Sequence, residues 1–156
     1  MILNYEYLWI NLRVKGGAYG CMCSFNRNGG GAFVSYRDPN LERTFSVYRD
    51  IPDYLRSFDV SERDMTNYVI GAIGELDHPT NPSAEGAFSL LAYMSRVTDE
   101  MLQKEREEVL STDVAEIRRL ADYVQAVLDC DQICVIGNAG KIEEEKELFG
   151  RIAPLN

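Results

Sequence analysis

Arg13 and Tyr19 stand six residues apart across the turn Gly16-Gly17-Ala18, with Gly20 directly behind the tyrosine. Glycines let a backbone fold back tightly, so a helix ending near Arg13 and a strand starting near Gly20 would bring a guanidinium and a phenol to one spot. A cationic donor beside a neutral one suits the negative charge that develops on a carbonyl oxygen under attack. The same residues also have a bland reading, in which Arg13 pairs with an acid and Tyr19 packs in the core with its hydroxyl satisfied. Residue chemistry alone leaves both open.

The other candidates are weaker. Gly137-Asn138-Ala139-Gly140-Lys141 follows an apolar run and opens a helical stretch, the context of a phosphate-binding loop. Such a loop needs glycine at 135 and a hydroxyl at 142, where the chain has Val135 and Ile142, so both the cradle and the magnesium ligand are missing. Cys21-x-Cys23 and Cys130-x3-Cys134 lack the two-residue spacing of a zinc knuckle and read as reduced thiols that pack as small hydrophobes. His78 is the single histidine, which excludes any zinc helix built on two. It sits in a proline-rich loop, where its expected role is a loop or cap hydrogen bond. The chain is therefore expected to bind no metal.

The elements that must position Arg13 and Tyr19 follow from apolar spacing. Positions 2, 3, 5, 8, 9 and 12 predict a helix, with no capping residue ahead of it and the pattern starting directly after Met1, so the domain is expected to be truncated at its N-terminus. Cys21 to Phe25 and Ala32 to Tyr36 predict two strands joined by the loop Asn26 to Gly31. Leu41, Phe45, Tyr48, Ile51 or Pro52, and Leu55 predict one amphipathic helix. Ser61 caps a second helix through Ile73, Asp77 to Ser83 is a loop broken by prolines, and Ala84 to Leu128 divides into three helices near Thr98 and near Ser111-Thr112. The last of these presents one stripe, Val114, Ile117, Ala121, Val124 and Leu128. Gln132 to Ile136 predicts a strand buried on both faces, and 141–149 a short charged helix. The sum is an α/β (α+β layered) domain, with helices packed on one face of a mixed sheet.

At 156 residues the length predicts a single domain over 1–156. Apolar residues make up 46% and charged residues 26%, which excludes a disordered chain. The net charge of −9 argues against nucleic acid as a partner. No run approaches the roughly 20 apolar residues that cross a bilayer, so the expected location is cytoplasmic, with no membrane partner.

The run Tyr7-Leu8-Trp9-Ile10-Asn11-Leu12-Arg13-Val14-Lys15-Gly16-Gly17-Ala18-Tyr19-Gly20, followed by Ser35-Tyr36-Arg37-Asp38-Pro39-Asn40, resembles the last domain of insulinase-type (pitrilysin-like) zinc metallopeptidases, in the presequence-protease branch. The likeness continues through Lys104 to Leu110 and Asp113, and so covers essentially the whole chain. The resemblance implies four related α/β domains that close as two bowl-like halves around a peptide, with this chain as most of the fourth. It implies zinc in the parent enzyme, held by an inverted His-x-x-Glu-His helix outside this chain. It also maps the family's arginine and tyrosine onto Arg13 and Tyr19, which there hold substrate backbone and steady the scissile carbonyl. The implied partners are the N-terminal zinc-bearing half and a peptide substrate. The chain alone is expected to be inactive and, with an uncovered sheet edge, to self-associate. An alternative is a noncatalytic peptide-binding subunit that pairs with a separate zinc-bearing subunit. A third reading, a free-standing structural protein, requires Arg13 and Tyr19 to face acids or core.

Overall fold

A computed structural model describes residues 1–27, 29–77 and 79–154. His78 and Asn28 of the expected hairpin loop lie outside the described residues. The predicted first helix forms over Ile2–Val14, wound on i→i+5 hydrogen bonds, a wider coil than the α-helix that the apolar spacing suggested. It buries Tyr7, Leu8 and Leu12. Its Asn4 side chain accepts from the Cys23 N–H at 2.6 Å and donates to the Cys23 carbonyl at 3.4 Å, covering one edge of the first strand.

That strand, β1, spans Gly20–Phe25 and pairs antiparallel with β2, Gly31–Tyr36, in a register from Gly20 opposite Tyr36 to Phe25 opposite Gly31. Gly29 turns the chain between them at φ 84°. The expected helix through Leu55 is instead two: α1, Glu42–Arg49, and α2, Ile51–Arg56. In an unbroken helix Pro52 would have to donate to the Tyr48 carbonyl, and proline has no N–H to give. The apolar positions survive the break, since Tyr48, Ile51 and Leu55 are all buried.

Ser61 caps α3, Glu62–Leu76, by accepting from the Asp64 N–H. Asn81 caps α4, Pro82–Met94, so the proline-rich loop ends one residue before Pro82, whose missing donor is harmless in a first turn. Thr98 caps α5, Asp99–Leu110. The cap of α6, Val114–Asp129, is Asp113, which accepts from the Glu116 N–H at 2.8 Å, just past the expected division at Ser111-Thr112. Its predicted stripe is real: Ile117, Ala121 and Val124 are buried. Asn138 caps the short α7, Ala139–Glu144.

Gln132 to Ile136 corrects the sequence expectation. The segment joins no strand, and Ile136 is 74% exposed. A strand buried on both faces needs hydrogen-bonded neighbours, and among the described residues the sheet consists of β1 and β2. Cys130 and Cys134 are likewise exposed rather than packed, and all four cysteines are free thiols.

The elements gather into two units. In one, residues 58–118 with Met1, α3 lies beside α5, Phe58 packs on Tyr68, and Arg118 donates to the Phe58 carbonyl at 2.7 Å. In the other, residues 2–57 and 119–154, the N-terminal helix packs on β1 and the Tyr7 hydroxyl donates to the Val47 carbonyl at 2.9 Å. There the Phe33 ring lies 5.5 Å from Tyr48, which places α1 against the hairpin. The fold is α/β, helices layered on a small antiparallel sheet. Among the described residues no helix is long and apolar enough to cross a membrane.

Candidate functional site

Two segments distant in sequence build one turn. The N-terminal helix ends as the Gly17 N–H donates to the Arg13 carbonyl at 3.0 Å and the Ala18 N–H to the Leu12 carbonyl at 2.9 Å. Gly17 takes φ 83°, where L side chains are strained, and a Cβ on Gly16 would collide with the Leu12 carbonyl. The turn is braced from beyond β2: Asn40 donates its side-chain amide to the Gly16 carbonyl at 2.7 Å. Asp38 orients Asn40 by accepting its N–H at 3.0 Å, and takes the Thr44 hydroxyl at 2.7 Å on its other oxygen. The glycine motif and the Asp38-Pro39-Asn40 motif are thus one structural unit.

On that turn Arg13 and Tyr19 do converge. The Arg13 guanidinium lies 4.1 Å from the centre of the Trp9 ring and 5.7 Å from that of Tyr19. Trp9 is one helical turn upstream of Arg13, so the indole forms a shelf for the cation. Tyr19 is 54% exposed, and neither it nor Arg13 meets a carboxylate partner or the core among the described residues. Tyr36 packs edge-on against Tyr19 with ring centres 5.3 Å apart, and Arg37 places a second guanidinium 5.4 Å from the Tyr19 ring. Gly20 leaves room for this, because a Cβ there would collide with the edge of the Tyr36 ring. Sequence reasoning missed Trp9, Tyr36 and Arg37 as members of the cluster. The i, i+4 spacing of Trp9 and Arg13 was the one legible signal.

Arg13 and Tyr19 offer a cation and a phenol hydroxyl at an exposed surface, the equipment for binding an oxygen that carries partial or full negative charge. The nearby thiols are not nucleophiles. Burial pushes the Cys21 thiol up, against the opposing charge of Arg13, and burial also raises Cys23, so both hold their protons at neutral pH. At the rejected phosphate loop, Asn138 occupies the Lys141 N–H at 3.2 Å and Lys141 pairs with Glu144. Among the described residues no group of three or more His, Cys, Asp or Glu side chains stands close enough to hold a metal ion. A cleft of about 790 Å³ runs between β2 and residues 130–138, lined by Phe33, Ser35, Tyr48, Ile133 and Val135, and reaches neither Arg13 nor Tyr19.

The family model of the PreP C-terminal domain matches residues 1–139. Protein HypA of Clostridium perfringens is 46% identical over 151 residues, 97% of this chain and 16% of its own length. Presequence protease 1, chloroplastic/mitochondrial, of Arabidopsis thaliana is 38% identical over 142 residues, 90% of this chain and 13% of its own. The mitochondrial presequence protease of Aspergillus fumigatus is 34% identical over 137 residues, 87% of this chain and 13% of its own. The chain therefore spans less than a fifth of the length of these relatives. With the glycine turn, its Asp38-Asn40 brace and the Arg13–Tyr19 cluster all inside the matched residues, this chain belongs to the PreP C-terminal domain family.

Proposed function

We propose that this chain is the chamber-forming, substrate-binding C-terminal part of a zinc-dependent metallopeptidase that hydrolyses peptides. One observation carries the reading: Arg13 and Tyr19 stand together, exposed, with no acid and no core among the described residues to occupy them. In that role the Arg13 guanidinium donates to substrate backbone oxygen, and the Tyr19 hydroxyl donates to the scissile carbonyl as its oxygen gains charge. Trp9 keeps the guanidinium from swinging into solvent. Donors aimed in advance at the place where charge develops cost no reorganisation during the reaction, which is why such contacts raise kcat.

The metal, its ligands and the general base are assigned to the N-terminal zinc-bearing half of the same enzyme, and the partners of this chain are that half and a peptide. We assign the chain to the cytoplasm, a reducing compartment that its free thiols fit.

The test is peptide hydrolysis with zinc by this chain, alone and mixed with the matching zinc-bearing half, comparing wild type with Tyr19→Phe and Arg13→Ala. Activity is expected only in the mixture. Tyr19→Phe should lose about 10²- to 10³-fold in kcat, the cost of removing one oxyanion donor, and Arg13→Ala should lower kcat/KM through the lost substrate contact. Hydrolysis by the chain alone, or variants as active as wild type in the mixture, refutes the assignment. Peptide binding by the mixture without hydrolysis favours the noncatalytic subunit.

A further inference from the structure

Three residues other than glycine adopt positive φ among those described: Arg37 at 48°, Arg96 at 57° and Asp131 at 49°. Two of them close helices. Arg96 follows α4, where the Val97 N–H reaches back to the Ala92 carbonyl, and Asp131 follows α6, where its N–H reaches the Leu128 carbonyl. Left-handed residues are common at helix ends. Arg37 follows a strand, and no helix end accounts for it.

What the left-handed turn does is bring Arg37 to Tyr19 twice. Its carbonyl accepts the Tyr19 N–H at 3.3 Å, and its guanidinium lies 5.4 Å from the Tyr19 ring centre. Although the chain carries a net charge of −9, no carboxylate pairs with Arg37 among the described residues. The adjacent Asp38 is engaged on both oxygens by Asn40 and Thr44. The cation is thus left for the phenol ring, which Tyr36 steadies from its edge.

We propose that Arg37 is a positioning residue that holds the Tyr19 phenol in its working orientation. The proposal rests on the reading of Tyr19 given above. Arg37 itself touches no substrate. It acts by narrowing the motion of the ring, so that the hydroxyl stays where the carbonyl oxygen arrives, and misplacement of a catalytic group by about 1 Å costs on the order of a hundredfold in rate.

The discriminating variant is Arg37→Gly, because glycine adopts the left-handed turn without strain and should leave the melting temperature of the chain unchanged or raised. In the complex of this chain with the zinc-bearing half, Arg37→Gly is expected to lower kcat about tenfold or more with KM unchanged. Arg37→Lys, which keeps the cation but not the planar guanidinium, should recover part of that loss. On a Tyr19→Phe background Arg37→Gly should cost nothing further, since a residue acting through a hydroxyl has no effect once the hydroxyl is gone. Unchanged kcat, a rise in KM alone, a lowered melting temperature or fully additive losses would each overturn the proposal. If Tyr19→Phe alone is silent, the reading of Tyr19 fails first. If Tyr19→Phe is costly while Arg37→Gly is silent, only the positioning role falls.

Discussion

Single residues set the chemistry, and their environments set measurable properties. Tyr7 is buried, donates to the Val47 carbonyl and packs 4.6 Å from the Tyr54 ring. Burial, reinforced by the negative charge of Asp50 and by Tyr54, pushes its pKa from the ordinary 10.0 up to about 12. The folded chain therefore keeps a proton that the unfolded chain releases from pH 10 upward. The stability this contributes is fully present below pH 10 and is lost as pH rises toward 12. Thermal melts across that window should show falling stability, and Tyr7→Phe should flatten part of the slope; a slope identical to wild type excludes Tyr7 as a contributor. At Gly17 a new Cβ would meet, among the described residues, Pro39 Cγ at 3.6 Å, an ordinary contact, so Gly17→Ala pays for its left-handed backbone and not for a clash. Its expected cost is about 1–2 kcal/mol by chemical denaturation.

Elements decide whether those residues meet. The N-terminal helix buries Leu8 and Leu12 almost completely while Val14, two residues beyond Leu12, is 64% exposed. Arg13 lies between them in sequence, so the burial that anchors Leu12 also aims Arg13. Leu12→Ala should destabilise the chain by about 2–5 kcal/mol, through lost burial and the cavity left behind. Val14→Ala should stay within about 0.5 kcal/mol. Equal losses in urea titrations of the two variants would show that the helix is not held by this face. The break between α1 and α2 makes the same point about hydrogen bonds. Apolar spacing placed Tyr48, Ile51 and Leu55 on one buried face correctly, and the missing N–H of Pro52 decided that two short helices present it.

At the scale of the whole molecule, the sheet is the element with least support. A two-stranded hairpin is marginal by itself, and among the described residues β2 has no strand on its second side. Val34 and Tyr36 on β2 are half exposed, and Ile133 and Ile136 across the cleft are exposed as well. An open strand edge beside apolar surface recruits another chain, and the net charge of −9 opposes this until salt screens it. The isolated chain should therefore self-associate in sedimentation experiments, more strongly as salt rises. Val34→Lys should suppress the association. A monomer at all salt concentrations would show that the edge is protected.

Much of this protein was legible in its residues, because the signals involved are local. Helix and strand periodicity, the caps at Ser61 and Thr98, and the stripe on α6 each depend on residues a few positions apart. The suspicion that Arg13 and Tyr19 meet was local as well, resting on glycines between a helix and a strand. Other features depend on partners far along the chain, and only tertiary structure decided them. The brace from Asp38 and Asn40 to Gly16, the left-handed turn at Arg37 and the Tyr36 ring over Gly20 each join residues whose contact no spacing rule encodes. The expected strand at 132–136 shows the same limit from the other side: its apolar run is local, whereas a strand exists only when a neighbouring backbone supplies the hydrogen bonds that burial demands.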